Sequence, residues 1–327
     1  MLSVDDTDDP REVPWHPRFA QTIIGHDTSA TQFRHVFSAG KPHHAWLLTG
    51  AKGIGKASLA YQLAAEILGT QNKDQSSRWI AARAHPDLFV LERRLGDSKP
   101  KKLKTEIAVN DARKLQDFFS HTSSGNWRIG LIDAADDLNI ESANALLKLV
   151  EEPPPKCILF LVCHLPGRLL RTLKSRCNRL ALQNISTDQT FSILSRLALE
   201  PRATDEDIQL AARLSFGSPG RALAILKSDG AKGFQMVAGA QRLAASDIVA
   251  IANKVAGRGT ILDNFNIFAD LFLDWVADRA AVTGDVRFAD AHIAISESIR
   301  VANAFNLDRR QTVIAAVSLV TDVLKAA

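Results

Sequence analysis

The residues best suited to chemistry form a glycine-rich turn between an apolar segment, residues 45–49, and a helical pattern, residues 56–68. The turn almost matches the phosphate-binding pattern G-x-x-x-x-G-K-[ST], with Gly50, Gly55 and Lys56 in register. Glycines let backbone N–H groups approach an anion, and a helix N-terminus adds partial positive charge. The lysine would reach the outer phosphates. The pattern therefore predicts a nucleotide site, and the alternative is a glycine-rich strand-to-helix turn without a ligand.

The turn departs from the pattern at its last position, where Ala57 replaces the serine or threonine that helps to hold Mg²⁺. Ser58 is adjacent, but successive helical residues point about 100° apart, so Ser58 is a poor substitute. We therefore expect Gly50, Gly53, Gly55 and Lys56 to form a degenerate site that binds ATP weakly. No residue in this turn is predicted to bind a metal.

A second acidic element is predicted at Asp133, which ends an apolar segment at residues 128–133 and is suited to orient Mg²⁺ through water. The alternative is that this carboxylate merely ends a strand and caps a turn. Ala134 follows it and cannot polarise water, while Asp136 lies three positions on and is not expected to reach the same spot. Water-positioning groups typically contribute about 10²–10⁴-fold to a rate, so the site is predicted to lack hydrolytic activity.

Arg176 follows the last long apolar segment, within Leu173-Lys-Ser-Arg-Cys177. A guanidinium is suited to a planar, bidentate contact with phosphate. A structural salt bridge is the alternative interpretation of this arginine.

The composition is that of an ordinary soluble globular protein: 327 residues, 46% hydrophobic and 23% charged, with a net charge of +4. This length is enough for two or three domains. The mildly basic charge permits contact with nucleic acid without demonstrating it. Cys157, Cys163 and Cys177 lack C-x-x-C spacing, which favours neither a disulfide framework nor a four-cysteine zinc site. The acidic N-terminus is unlike a signal peptide, and no apolar run is long enough to span a membrane, so we expect a cytoplasmic protein.

Strand and helix patterns alternate through the first half of the chain, which predicts an α/β core with a parallel sheet. Only helical patterns follow. We predict a disordered acidic tail at residues 1–14, a core at 15–184, a small three-helix lid at 185–228 and an all-α domain at 229–327. Two segments are interpreted as exposed loops: Gly69–Arg78, which is polar, and the stretch with Lys99, Lys101, Lys102 and Lys104, for which a nucleic-acid contact is the less favoured alternative.

These segments, in this order, resemble the clamp-loader AAA+ proteins of bacterial DNA polymerase III, from about Phe19 to about Leu226. The more specific matches are Ala143-Asn-Ala-Leu-Leu-Lys-Leu-Val-Glu-Glu-Pro-Pro154 and Ser175-Arg-Cys177. Weaker matches are His44-Ala-Trp-Leu-Leu-Thr-Gly50, Ala84-His-Pro-Asp87, Ile132-Asp-Ala-Ala135 and Gly217-Ser-Pro-Gly-Arg-Ala-Leu223. The C-terminal part matches only in helical character and length.

The resemblance implies a RecA-like AAA+ core, a helical lid and a C-terminal collar for oligomerisation. It implies a place in a ring with motor subunits and a clamp-opening subunit, which loads the sliding clamp onto primed DNA. The resemblance also implies that Arg176 acts in trans, as a finger in the ATP site of a neighbouring motor subunit. The chain would then be a component of a DNA-directed DNA polymerase holoenzyme without being catalytic itself.

Several positions depart from the family pattern. Many members carry a four-cysteine zinc module after the first core helix, but residues 69–86 contain no cysteine, so no zinc is predicted. The lid arginine of the motor subunits falls at Gly220, with Arg221 one position away. The polar sensor residue falls at Cys163 or His164. The departures at positions 57, 134, 163–164 and 220 all point away from hydrolysis.

The sequence thus favours a non-hydrolysing clamp-loader subunit that donates Arg176. The alternative is an active ATPase motor subunit of the same clamp loader, supported by the retained glycines and Lys56. A nucleotide-binding enzyme of another class, such as a kinase, would need a catalytic acid near the loop, and nothing in the sequence singles one out.

Overall fold

The computed structural model describes residues 9, 11–20, 22–40, 42–69, 73–96, 103–121, 127–197, 199, 203–240, 242–256 and 264–326. The chain divides into two compact units. The first contains Met1–Asp205 and Phe216–Gly220, and the second contains Glu206–Ser215 and Arg221–Ala327. The finer division into tail, core, lid and collar stays a prediction.

Within the described residues, five parallel strands form the sheet of the first unit: β1 Ala45–Thr49, β2 Leu88–Glu92, β3 Arg128–Asp133, β4 Cys157–Cys163 and β5 Asn178–Ala181. Their spatial order is β2-β3-β4-β1-β5. Strands β1 and β4 are buried along their whole length, as expected for a parallel sheet covered on both faces. The predicted parallel α/β core is confirmed. Because all strands run the same way, the residues that follow β1, β3 and β4 meet at one edge.

The helices of the first unit are α1 Asp27–Ser38, α2 Lys56–Leu68, α3 Lys73–Ala81, α4 Val109–Ser120, α5 Ile140–Glu151, α6 Arg171–Lys174 and α7 Thr187–Arg196. Helices α1 to α6 cover the sheet through two hydrophobic clusters, and β1 contributes to both because its side chains alternate. Trp46 and Leu48 join the cluster that includes α1, α2 and α3. Ala45 and Leu47 join the cluster that includes α4, α5 and α6.

Helix α3 corrects the expectation of a loop at Gly69–Arg78. The segment is polar, but Ile80 is buried in the cluster shared with α2. The buried Ser76 donates its hydroxyl to the carbonyl of Leu68, at the end of α2. Tertiary packing of one apolar face therefore outweighs the weak helical signal of the sequence. Of the predicted basic loop, Lys99, Lys101 and Lys102 lie outside the described residues, while Lys104 donates its backbone N–H to the carbonyl of Arg94.

The predicted disordered tail has a packed part. Residues 1–8 and 10 lie outside the described residues, but Arg11 forms ion pairs with Asp9 and with Glu92, at the end of β2. Val13 is buried. These contacts order residues 11–14, because an apolar side chain and an ion-pair network offset the entropy of a free chain end.

The later helices are α8 Asp205–Leu214, α9 Pro219–Lys227, α10 Asp229–Ala238, α11 Ala245–Ala256, α12 Asn264–Thr283, α13 Val286–Phe305 and α14 Arg309–Ala326. Helix α12 provides much of the core of the second unit through Phe265, Phe268 and Phe272, all buried. The rings of Phe268 and Phe272 stack at 5.3 Å. The predicted all-helical C-terminal part is confirmed. Among the described helices, none combines the length and apolar composition that crossing a membrane requires.

Candidate functional site

The phosphate-loop sequence forms the turn between β1 and α2. Gly50, Gly53 and Gly55 have φ values of +147°, +81° and +104°, a region that L side chains rarely adopt. A Cβ on Gly50 would also lie 2.5 Å from the carbonyl oxygen of Leu182, after β5. The loop conformation therefore depends on glycine. Helix α2 begins without a side-chain cap, so its first N–H groups face this turn without an internal acceptor.

Lys56 is folded into its own loop. Its side chain is almost wholly buried, with the residue 2% exposed, and Nζ donates to the carbonyls of Gly50 at 2.7 Å and Ala51 at 2.5 Å. Burial lowers the pKa of Lys56 to about 8, against the opposing influence of Asp136 and Asp133. An ammonium has three donors, so one N–H remains after these two bonds. The lysine thus braces the loop without any ligand.

Both positions where a catalytic group is missing carry an alanine that packs into the protein. Ala57 packs against the hydrophobic cluster of α1 and α2, and Ala134 is buried after β3. Asp133 ends β3 beside Glu92, its partner in the sheet register. Burial and then the charge of Glu92 raise the pKa of Asp133 to about 6, although Lys56 opposes the shift. Asp133 lies near Lys56, and alanine occupies the position that follows it.

Asp136 lies beside the end of β4 and contributes to the charge around Lys56. It accepts the backbone N–H groups of His164 at 2.8 Å and Leu165 at 3.2 Å, and it raises the pKa of Lys56 more than Asp133 does. Both of its carboxylate oxygens are thus engaged by backbone N–H groups, and the expectation that Asp136 does not replace the group missing at position 134 stays a prediction. A short 3-10 turn at Ala135–Asp137 brings its carboxylate back over the sheet edge. The signal in the sequence was the acidic pair Asp136-Asp137, which begins three residues after the end of β3.

The predicted sensor positions lie at the end of β4. Cys163 is fully buried, and burial with the nearby Asp136 raises the pKa of its thiol to about 12. Burial and then the charge of Lys56 lower the pKa of His164 to about 4. Its Nδ1 is buried, without a hydrogen-bond partner among the described residues. At neutral pH both side chains are uncharged, so neither attracts a phosphate as a cation.

The segment Phe216–Gly220 docks directly on the phosphate loop. The N–H of Gly220 donates to the carbonyl of Gly53 at 2.9 Å, and the hydroxyl of Ser218 donates to the carbonyl of Lys52 at 3.0 Å. A Cβ on Gly220 would lie 2.8 Å from Cα of Gly53. This position therefore has no room for the arginine side chain of the motor subunits. Arg221, one position on, pairs instead with Asp274 on α12.

Other contacts with the loop were not predicted. His26, buried before α1, places Nε2 2.6 Å from the carbonyl oxygen of Ile54. The carbonyl of Gly217 accepts the N–H of Ile185 at 3.0 Å. These contacts join segments far apart in sequence, so no local pattern marks them. The glycines of Gly217-Ser-Pro-Gly220 were the available signal. With 216–220 docked, the carbonyls of residues 50–54 each accept a bond from Lys56, Ser218, Gly220 or His26.

Arg176 lies away from this closed loop, on the surface after α6. Its side chain is 41% exposed. Nη1 donates to the carbonyl of Thr172 at 2.9 Å, and Nη2 lies 2.8 Å from Oε1 of Glu151 on α5. The salt bridge that the sequence allowed is thus present, and the guanidinium remains accessible.

The described residues contain no group of three or more histidine, cysteine, aspartate or glutamate side chains placed to hold a metal ion. The best-formed cavities among them are small and lie elsewhere. One is lined by His44, Phe119 and Pro153, and the other by Phe265, Phe272 and Ile299.

Part of the first unit is similar to a known protein family. Residues 25–186 match the family described as DNA polymerase III, delta subunit. The match covers the whole parallel sheet, the phosphate loop, Asp133 and Arg176. The similarity to clamp-loader proteins expected from the sequence is confirmed.

Several similar proteins are named as subunits of DNA polymerase III or as related to one. The chain is 39% identical to DNA polymerase III subunit delta' of Pseudomonas aeruginosa over 142 residues, 41% of each chain. It is 33% identical to subunit delta' of Escherichia coli over 201 residues, 59% of this chain and 57% of the relative. The chain thus spans about two fifths to three fifths of the length of these relatives. A gamma-subunit-related protein from Thermotoga maritima, 15% identical, aligns over 90% of this chain and 98% of its own with a TM-score of 0.49.

Proposed function

We propose that this chain is a delta-prime-like clamp-loader subunit that does not hydrolyse ATP and donates Arg176 to the ATP site of a neighbouring motor subunit. One observation carries the proposal: the phosphate loop keeps its fold through internal bonds while lacking both groups that hydrolysis needs. Lys56 bonds to the carbonyls of Gly50 and Ala51, and alanine occupies positions 57 and 134.

The two missing groups would contribute substantially to the rate of ATP hydrolysis. Without a hydroxyl at position 57, Mg²⁺ loses a protein ligand, and without a carboxylate at position 134, no group orients the attacking water. The second loss alone typically costs about 10²–10⁴-fold in rate. If ATP binds here, its phosphates would lie against the free N–H groups of α2 and the third N–H of Lys56. In such a complex this chain would bind and orient phosphate, and it would leave Mg²⁺ poorly held.

The surface position of Arg176 supports the finger role. An exposed ion pair is worth only about 0–1 kcal/mol, so Glu151 does not trap the guanidinium. An arginine finger contributes about 10³–10⁵-fold to phosphoryl transfer, which is several times more energy. Arg176 is thus free to contact a phosphate on another subunit.

The proposed partners are the motor subunits and the clamp-opening subunit, with the sliding clamp and primed DNA engaged by the assembled complex. The names of the relatives, subunits of DNA polymerase III, support this assignment. The chain would then belong to a cytoplasmic DNA-directed DNA polymerase holoenzyme as a component without catalytic activity of its own.

The test is reconstitution with motor and clamp-opening subunits, followed by assays of DNA-stimulated ATP turnover and clamp loading. Arg176→Ala is expected to lower turnover about 10³-fold while the subunits still associate. Arg171→Ala, an exposed arginine on α6, is the matched control and should leave turnover unchanged. Unchanged turnover with Arg176→Ala would refute the finger role.

The alternative, an active motor subunit, is supported by the intact fold of the loop and by Lys56. Measuring ATP turnover of the isolated chain separates the two functions. Substantial turnover that disappears with Lys56→Ala would establish the motor subunit and overturn the proposal.

A further inference from the structure

Glu151 and Arg176 come together through two neighbouring helix ends. Helix α5 ends at Glu151 because Pro153 follows one residue after its C-cap. Helix α6 packs against α5 and presents the carbonyl of Thr172 to Arg176. The guanidinium is therefore held at two points, with Nη1 on its own helix and Nη2 on the carboxylate of Glu151 at 2.8 Å.

The position of Glu151 is electrostatically unfavourable for its own helix. The C-terminal end of a helix carries partial negative charge, which favours lysine and arginine and disfavours glutamate. Glu151 nevertheless ends α5, and Glu152 follows as its C-cap. In the part of the chain that the structure describes, Glu151 pairs with Arg176, whereas Glu152 forms no ion pair. The acidic residue is thus better explained by its contact with Arg176 than by the stability of α5.

The hydrogen-bond capacity of arginine decides how this contact would act. A guanidinium has five N–H donors in a rigid plane, and Thr172 and Glu151 use two of them. Three donors remain on a side chain that is 41% exposed. Arg176 is therefore able to contact a phosphate group without first releasing either acceptor.

We propose that Glu151 is a positioning residue for Arg176, which holds the guanidinium extended and oriented while its free N–H groups contact the phosphates of a neighbouring subunit. This inference rests on the proposed function. Without Glu151, the long side chain would regain rotamers, and that entropy would be lost again each time the finger docks. An exposed, charge-assisted pair of this kind corresponds to about a fivefold effect, or about 1 kcal/mol.

The test uses the reconstituted complex, with DNA-stimulated ATP turnover measured over a range of ATP concentrations. Glu151→Ala is expected to lower kcat about fivefold with KM for ATP unchanged, because the finger acts in the transition state. Glu151→Gln should retain most of the rate, since its amide oxygen still accepts from Nη2. Glu152→Ala is the matched control and should behave as wild type. Equal rates for Glu151→Ala and wild type would overturn the inference, as would faster turnover in both Glu151 variants.

A double-mutant cycle separates this inference from the function on which it rests. If Glu151 acts through Arg176, then Glu151→Ala has no further effect once Arg176→Ala is present. Independent, multiplicative losses would overturn the positioning role. A collapse of turnover with Arg176→Ala and no change with Glu151→Ala would refute the positioning role alone. No change with Arg176→Ala would refute both.

Discussion

The phosphate loop and Arg176 are both predicted to bind phosphate, but the first unit places their positive charges in opposite environments. In the loop, Lys56 is 2% exposed and directs Nζ at two carbonyls of its own turn. On the surface, the side chain of Arg176 is 41% exposed and keeps three donors unused. The positive charge of the loop serves the fold, whereas that of Arg176 is available to another molecule.

The difference shows how a nucleotide site can persist as a folding element. Strand β1, the turn and α2 form a continuous buried unit, and the segment 216–220 adds backbone bonds to the carbonyls of Lys52 and Gly53. In this arrangement the turn remains well packed without phosphate. We therefore expect this fold to require neither a hydroxyl at position 57 nor a carboxylate at position 134.

The largest expected effect concerns Arg176. Arg176→Lys keeps the positive charge but loses the planar fork that contacts a carboxylate, a carbonyl and a phosphate together. We expect DNA-stimulated turnover of the reconstituted complex to fall about 10²-fold, between wild type and Arg176→Ala. The substitution Lys174→Arg, nearby on α6, serves as the control. Full activity of Arg176→Lys would mean that a point charge suffices and would weaken the contrast with Lys56.

The next largest effect concerns the stability of the closed loop. Gly217 has a φ of +76°, and its Cβ would lie 2.0 Å from the carbonyl oxygen of Ile185, so Gly217→Ala should destabilise the isolated chain by about 3 kcal/mol or more. Gly220→Ala meets Cα of Gly53 at 2.8 Å and should cost about 1–3 kcal/mol.

Denaturant unfolding at neutral pH measures both changes. Gly167→Ala is the matched control, because a Cβ there has nothing within 4 Å, and it should stay within about 0.5 kcal/mol of wild type. Gly220→Ala with wild-type stability would mean that 216–220 is not firmly docked on the loop. The loop would then be an open site, and the contrast with Arg176 would be smaller.

The sequence predicted the strands and helices that carry the site better than the contacts that close the phosphate loop. Apolar runs ending in glycine or aspartate were enough to predict β1, β3 and the edge where Lys56 and Asp133 meet. The docking of 216–220 and the contact of His26 depend on backbone approaches across long sequence distances, for which periodicity carries no signal. The contact of Asp136 with the end of β4 depends on a 3-10 turn that sequence spacing does not reveal.

A smaller effect is expected from the carboxylate beside the loop. The pKa of Asp133 is raised from 3.8 to about 6, so its ionised form destabilises the folded state. The penalty is fully present above pH 6 and disappears as pH falls through 3.8, where the carboxyl is neutral in folded and unfolded chains alike. Asp133→Asn should therefore stabilise the chain by about 1–2 kcal/mol at pH 7.5 and have little effect near pH 3.5.

Urea unfolding of the isolated chain across this pH range measures the difference, with the exposed Asp117→Asn as a control that should show no comparable pH dependence. A stabilisation of Asp133→Asn that is equal at both pH values would point to hydrogen bonding in place of charge. A destabilisation at pH 7.5 would mean that the ionised carboxylate has a favourable partner. The carboxylates beside the phosphate loop would then be suited to hold a cation, contrary to the comparison drawn with Arg176.

The smallest effect on turnover should come from Lys56, although the lysine is normally essential in a phosphate loop that binds ATP. Lys56→Ala removes two bonds to the carbonyls of Gly50 and Ala51 and leaves both acceptors in a closed turn. We expect the isolated chain to lose about 1–3 kcal/mol of stability, because buried acceptors are left unpaired. Turnover and clamp loading of the reconstituted complex should nevertheless stay within about twofold of wild type, because the proposed function assigns ATP hydrolysis to the neighbouring motor subunits. Lys148→Ala, an exposed lysine on α5, controls for the loss of charge.

A collapse of loading in a complex that still assembles would show that nucleotide bound at this loop matters. The loop and Arg176 would then both act on phosphate. The conclusion that the charge of the loop serves the fold while that of Arg176 serves another subunit would be wrong.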